Sequence, residues 1–193
     1  MPFGRAYGLC GGMIWRAKRL FERGEAISPR AVVPPTLSRE YLALQFEQWR
    51  SLSLPPLGLG GEAWRYLGWM RAPLEGAGGL GERTARELER LSAELSEGVP
   101  VPIGLVRSRR GEGRLWHNHQ VLAYAMAQHR PGVMRVRVYD PNYPLDDGVS
   151  LDVESHGDEA TTLFVRRWVG GQRLPGWFVS SRVARRIPAQ GSV

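Results

Sequence analysis

The chain changes texture once, near residue 98, and that change sets the fold class. Ahead of it, apolar side chains recur at helical spacing; behind it come short runs rich in β-branched and aromatic residues, most of them bounded by turn residues. Met13, Ile14, Ala17, Leu20 and Phe21 form one stripe over residues 11–23, ended by Gly24 in the usual stop position. Cys10 therefore falls in the first turn of a predicted helix. Residues 25–37 are Pro-rich and read as a loop, and Ser38 caps a second helix to about Arg50 with Leu42, Phe46 and Trp49 along one side. Residues 51–80 read as loops around a short helix bearing Trp64, Tyr66 and Trp69. Leu88, Leu91 and Leu95 mark a further helix from about Glu82 to Glu97, terminated by Gly98.

The β-type runs are Val101–Val106, Gln120–Ala127, Val133–Tyr139, Val149–Glu154, Thr161–Val169 and Trp177–Ser181. Helices first and strands second give an α+β fold rather than alternating βαβ units. A chain of 193 residues is one domain. Its helical half covers about 1–98, its β half about 99–183, and 184–193 is a frayed tail.

Hydrophobic residues at 42% and charged residues at 23% are ordinary globular values, which exclude disordered and membrane-spanning classes. No apolar run reaches the ~18 residues of a transmembrane helix, and Met1-Pro2-Phe3-Gly4-Arg5 lacks the layout of a signal peptide. One cysteine excludes an internal disulfide, so a reducing cytoplasm is the expected compartment. The net charge of +7 invites a nucleic-acid reading. Of the 26 basic residues, however, only Lys18 is a lysine, and the arginines are scattered. The pairs Arg109-Arg110, Arg166-Arg167 and Arg185-Arg186 fall short of a basic tail. A coding bias explains such a skew more simply, and nucleic acid is not the expected partner.

The chemistry gathers on a thiol, an imidazole and a carboxylate. A cysteine at a helix N-terminus meets unpaired N–H groups and the positive end of the helix dipole, which favour thiolate. Gly11 and Gly12 are expected to let a substrate or main chain approach the sulfur. In the second half, two β-type runs flank a turn-like stretch from Ala127 to Gly132. A turn centred between His129 and Arg130 places His119 opposite Asp140 in an antiparallel ladder. A carboxylate so placed orients the imidazole and stabilises its charged form. The same register pairs His117 with Asn142, so register alone does not separate the two histidines, and a slip of one residue breaks both pairings. His129 lies in the turn and His156 in a polar loop, neither suited to catalysis.

Three segments carry a resemblance: Gly8-Leu9-Cys10-Gly11-Gly12-Met13 leading a helix, Asn118-His119-Gln120-Val121-Leu122-Ala123-Tyr124 on a strand, and Tyr139-Asp140-Pro141-Asn142 after the next strand. Together they resemble the papain fold, nearest to the bacterial papain-like peptidases of the bacteriocin-leader-processing type, which use aspartate as third member. The resemblance implies an α+β papain-like fold, with a central Cys-bearing helix packed on an antiparallel sheet or half-barrel. It also implies Cys10 as nucleophile, His119 as base and Asp140 as orienting group, and it favours His119 over His117, because Val121 and Ala123 continue the family's apolar alternation. The family's glutamine ahead of the cysteine is replaced by Gly4, and Gln120 and Gln128 are out of register to stand in for it as oxyanion donor.

The expected function is thus a cysteine hydrolase, a peptidase or amidase passing through a thioester, with a peptide or amide substrate and no cofactor or metal. A catalytically impaired binding module on the same fold and a basic nucleic-acid binder are the alternatives. Gly58-Leu59-Gly60-Gly61 and Gly76-Ala77-Gly78-Gly79 lack the strand and the Gly-Lys-Ser/Thr of a phosphate loop. The spacing of Asp140, Asp146, Asp147 and Asp152 matches no EF-hand. Trp116, just ahead of His119, is a candidate cleft residue; the other tryptophans mostly fall on apolar faces.

Overall fold

The computed structural model describes residues 9–26, 38–52, 62–109, 115–144, 146–166 and 170–180. Among these residues four helices come first: α1 (Cys10–Glu22), α2 (Arg39–Leu52), α3 (Glu62–Arg71) and α4 (Leu80–Leu95). Seven strands follow: β1 (Val101–Val106), β2 (His119–Arg130), β3 (Val133–Tyr139), β4 (Ser150–His156), β5 (Glu159–Arg166), β6 (Gly170–Leu174) and β7 (Gly176–Val179), with one 3-10 turn, Leu115–His117, ahead of β2. The class is α+β.

The stop and start residues act as their chemistry requires. Ser38 Oγ accepts the Tyr41 N–H at 3.1 Å, an N-cap on α2. Gly24 N donates to the Phe21 carbonyl at 2.9 Å and closes α1, while Gly98, with φ of 75°, turns the chain out of α4. Helix α4 starts earlier than the leucine stripe implied. The Glu82 carboxylate reaches back to the Gly78 N–H, so the glycine loop at 76–79 serves as a helix start whose free N–H is already taken by an anion of the chain itself. The loop at 58–61, the Trp49 and Trp168 side chains and the tail lie outside the described residues.

The strands form one antiparallel sheet in the order β6-β5-β4-β3-β2-β1-β7. Strands β6 and β7 are separated only by Pro175, yet β6 pairs with β5 and β7 with β1. One short stretch thus holds both edges and curls the sheet into a half-barrel. The β6 segment was not legible as a strand because Gly170-Gly171-Gln172-Arg173-Leu174 carries no β-branched or aromatic residue. A Cβ on Gly171 would lie 2.6 Å from the end of the Leu163 side chain, which would have to move.

Alternation along the strands divides the core. Val121, Ala123, Val136 and Val138 point inward with Trp177 and Phe164, and Leu91 of α4 seals that interior. Leu122 points the other way and packs with Ile14, Trp15 and Ala17 of α1, with Tyr139 beside them. A third cluster, Tyr66, Trp69, Met70, Leu80, Val106 and Phe178, joins α3 to β1 and β7. Burying a side chain of this size contributes roughly 1.5–3 kcal/mol each, so α1 is held against the outside of β2 by its own apolar stripe. That contact brings the first turn of α1 to the start of β2.

Candidate active site

The β2–β3 hairpin turns at Pro131-Gly132, not between His129 and Arg130, since Arg130 faces Val133 and Gly132 adopts φ of 75°. Two extra residues in β2, His129 and Tyr124, each sit where the ladder shifts by one. The ladder accordingly moves from Arg130–Val133 at the turn, through Met126–Val136, to Leu122–Tyr139 at its far end. Continued to the strand start, that register sets Asn142 across from His119 and puts Asp140 on the diagonal. The expected direct pairing of His119 with Asp140 is therefore off by two residues. A displacement of two keeps every side chain on its face, and the functional contact survives: His119 Nε2 lies 2.8 Å from Asp140 Oδ1.

Asp140 is held from below by its own turn. Pro141 and Asn142 form the corner, Tyr143 N donates to the Asp140 carbonyl at 2.8 Å, and Asn142 N donates to Asp140 Oδ1 at 2.8 Å. An Asp-Pro-Asn sequence suits this turn: proline presets the backbone and the aspartate accepts the N–H two residues on. Asn142 also brings its side-chain amide to 3.3 Å from His119 Nε2. Asp140 is 1% exposed and His119 5%.

With Nε2 committed to Asp140, the nitrogen left for the thiol is Nδ1. Cys10, partly exposed at the first position of α1, is near enough to the imidazole to help raise its pKa. Burial opposes a charged ring, but the hydrogen bond to Asp140 and the contacts with Cys10 outweigh it, and the His119 imidazolium is held up to about 9. At neutral pH the ring carries its proton.

The other predicted residues do not join. His117 is exposed on the 3-10 turn and its expected pairing with Asn142 does not form, because Asn142 meets His119 instead. Trp116 is 44% exposed on the same turn. His129 is an exposed bulge residue, and His156 reaches only Thr161 Oγ1 at 3.4 Å. Asp146 caps its own turn at Gly148 N, and Asp152 is gripped twice by Arg135 at 2.7 Å. No group of three His, Cys, Asp or Glu side chains among the described residues could hold a metal ion.

Gly11 and Gly12 do admit close approach, by the Leu44 main chain and by polar side chains of the protein itself. A Cβ on Gly11 would lie 2.0 Å from Gln120 Oε1 and 2.4 Å from Ser51 Oγ; one on Gly12 would lie 2.2 Å from the Leu44 carbonyl oxygen. The glycines admit helix α2 and Gln120, and both are buried. Sequence reasoning missed Gln48, whose Oε1 accepts the Gly12 N–H at 3.0 Å, and Tyr66, whose hydroxyl donates to the His119 carbonyl at 2.6 Å. It also missed Asn118 as a brace: its Oδ1 accepts Arg107 N at 3.0 Å, and its Nδ2 donates to the Leu115 carbonyl at 3.1 Å. A glutamine inside a helix and a tyrosine in an aromatic patch give no local signal of such long-range bonds.

No family model, no curated protein and no solved structure matches the chain. No helix of the described residues is long and apolar enough to cross a membrane.

Proposed function

We propose that the chain is a papain-like cysteine hydrolase acting on an amide bond, a peptidase or amidase. One observation carries the reading: a buried histidine at a strand start, bound through Nε2 to a buried aspartate at 2.8 Å, has its charge sustained also by a cysteine at a helix start. Nothing in the packing of the core calls for a buried, charged imidazole there, and a buried charge is kept only where it is paired. A nucleophile, an acid–base group and an orienting carboxylate in contact form the standard equipment for acyl transfer.

The steps follow from the positions. Cys10 Sγ adds to the carbonyl carbon of the amide, a C–S bond forms, and the carbonyl π pair moves to oxygen. Collapse of that intermediate breaks the C–N bond, and the departing amine takes the proton from His119 Nδ1, leaving a thioester. Water then gives a proton to His119 as it adds to the thioester. Loss of Sγ releases the carboxylic acid and restores the starting pair. Asp140 keeps Nε2 as the donor of its own bond and so keeps Nδ1 toward the sulfur.

The test is turnover of a mixed peptide library followed by mass spectrometry. Cleavage by the wild type that disappears in Cys10→Ala, with an unchanged melting curve, supports the reading. An uncleaved library together with slow alkylation of Cys10 supports instead the impaired binding module. One feature favours that second reading: Gln120 Nε2 is closed to solvent, so Gln120 offers no donor to a substrate oxygen. The basic residues do not favour a nucleic-acid reading. Arg19, Arg65, Arg90 and Arg135 are each paired with a carboxylate, on four different elements.

A further inference from the structure

We propose that Gln48 and Tyr66 are positioning residues for the Cys10–His119 pair, the two ends of a buried polar bridge that fixes the start of α1 against the start of β2. The inference rests on the cysteine-hydrolase reading of that pair.

The two reacting side chains sit at the first positions of their elements. Helix α1 begins after Leu9, which has no side-chain oxygen to cap it. The first N–H groups of a helix have no partners within it, and here the acceptor for Gly12 is imported from α2 as Gln48 Oε1 at 3.0 Å. His119 opens β2 opposite Leu105 of β1 but three residues beyond Leu122–Tyr139, the last pair with β3. Its carbonyl is caught by the Tyr66 hydroxyl from α3 at 2.6 Å. Neither bond is local in sequence, and each fixes the main chain of, or just after, a reacting residue.

Between these ends lie Ser51 and Gln120. Ser51 Oγ donates to the Gln48 carbonyl at 2.7 Å and lies 3.3 Å from the Gln120 amide oxygen. Gln120 rests on Gly11, where a Cβ would overlap it, and its amide contacts the Tyr66 hydroxyl. A hydroxyl has one hydrogen, and Ser51 spends it on Gln48. The Gln120 amide thus meets two hydroxyls, those of Ser51 and Tyr66, whose hydrogens both go to main-chain carbonyls. Gln48, Ser51, Gln120 and Tyr66 are 6%, 1%, 2% and 2% exposed. Four polar side chains kept from water, when an apolar filling would serve a core, need a reason. Holding two main-chain segments in register is one that uses every member.

The test compares Gln48→Met, which keeps the shape and loses the acceptor, with Gln48→Glu, which restores an acceptor oxygen. Tyr66→Phe removes the other end. Leu44→Ala, on the same face of α2 but outside the bridge, controls for lost stability. The readouts are the Cys10 alkylation rate with iodoacetamide from pH 5 to 10 and the NMR titration of His119. The expected result is a rate loss of roughly ten- to a hundredfold in Gln48→Met and Tyr66→Phe, as for a misplaced reacting group, with a lowered His119 titration. Gln48→Glu regains most of the rate, and Leu44→Ala leaves the rate and the titration unchanged. Gln48→Met and Tyr66→Phe behaving like Leu44→Ala would overturn the bridge. In Cys10→Ala the His119 titration must drop. If it does not, the thiol–imidazole pairing itself is wrong and the bridge loses its purpose; if it drops while the bridge variants stay at wild-type values, the bridge alone is wrong.

Discussion

Replacing Asp140 by asparagine isolates the charge from the geometry. The amide oxygen can still accept from His119 Nε2 and from Asn142 N, both now 2.8 Å from Oδ1, so the ring keeps its place while the counter-charge is lost. In the wild type, burial pulls the imidazolium down, and the hydrogen bond to Asp140 with the contacts of Cys10 lifts it from 6.5 to about 9. At 1.36 kcal/mol for each tenfold step, that lift is worth roughly 3 kcal/mol to the charged ring, net of burial. A neighbouring opposite charge moves a buried group by roughly 1–3 pKa units, so Asp140→Asn is expected to bring His119 down by about two, to near 7. At pH 8 the protonated share then falls from about nine-tenths to about one-tenth, and proton delivery to the leaving amine falls with it, roughly tenfold. The assay is NMR titration of 13C-labelled histidine rings, with His119→Gln to assign the signal among the four histidines. A midpoint that stays near 9 in Asp140→Asn would refute the assignment of Asp140 as the group that sustains the charge.

Other outcomes follow from the same contacts. Because the raised His119 value keeps the ring protonated up to about 9, kcat/KM on any cleaved peptide should hold through neutral pH and fall above about 9, where the leaving amine loses its acid; a basic limb near 6.5 would contradict it. Gly12→Ala should destabilise the fold by roughly 1–3 kcal/mol or more, as overpacking does, because its Cβ meets the Leu44 carbonyl oxygen, which is main chain. Urea unfolding reads this. Asn118→Ala should loosen the turn that leads into His119, slowing turnover while costing about 1–2 kcal/mol for its bonds to Arg107 and Leu115; parallel measurement of rate and urea midpoint checks it.

The helix stops and the α+β division were legible because they depend on local chemistry: Ser38 as a cap, Gly24 and Gly98 as terminators, leucines at helical spacing. The candidate site was partly legible. His119 and Asp140 could be paired by parity alone, and parity survived a turn placed two residues away, because the two bulges together left every side chain on its face. The bulges themselves leave no mark in the sequence, since Tyr124 and His129 look like any other strand residues. Tertiary demands hid the rest. Gly11 and Gly12 read as room for a substrate or main chain beside a nucleophile, and the neighbours that fill it, Gln120 and the Leu44 main chain, come from distant parts of the sequence. Strand β6 forms because Pro175 lets one stretch pair with β5 and then β1, a long-range gain that no composition announces.

The most direct probe is the second-order rate of iodoacetamide with Cys10 at pH 6, in the wild type and in His119→Ala. An imidazolium beside the sulfur predicts a wild-type rate at least about tenfold above that of free cysteine, collapsing toward the free-thiol rate in the variant. A wild-type sulfur that reacts no faster than free cysteine, or a variant that keeps the enhanced rate, would contradict the partnership.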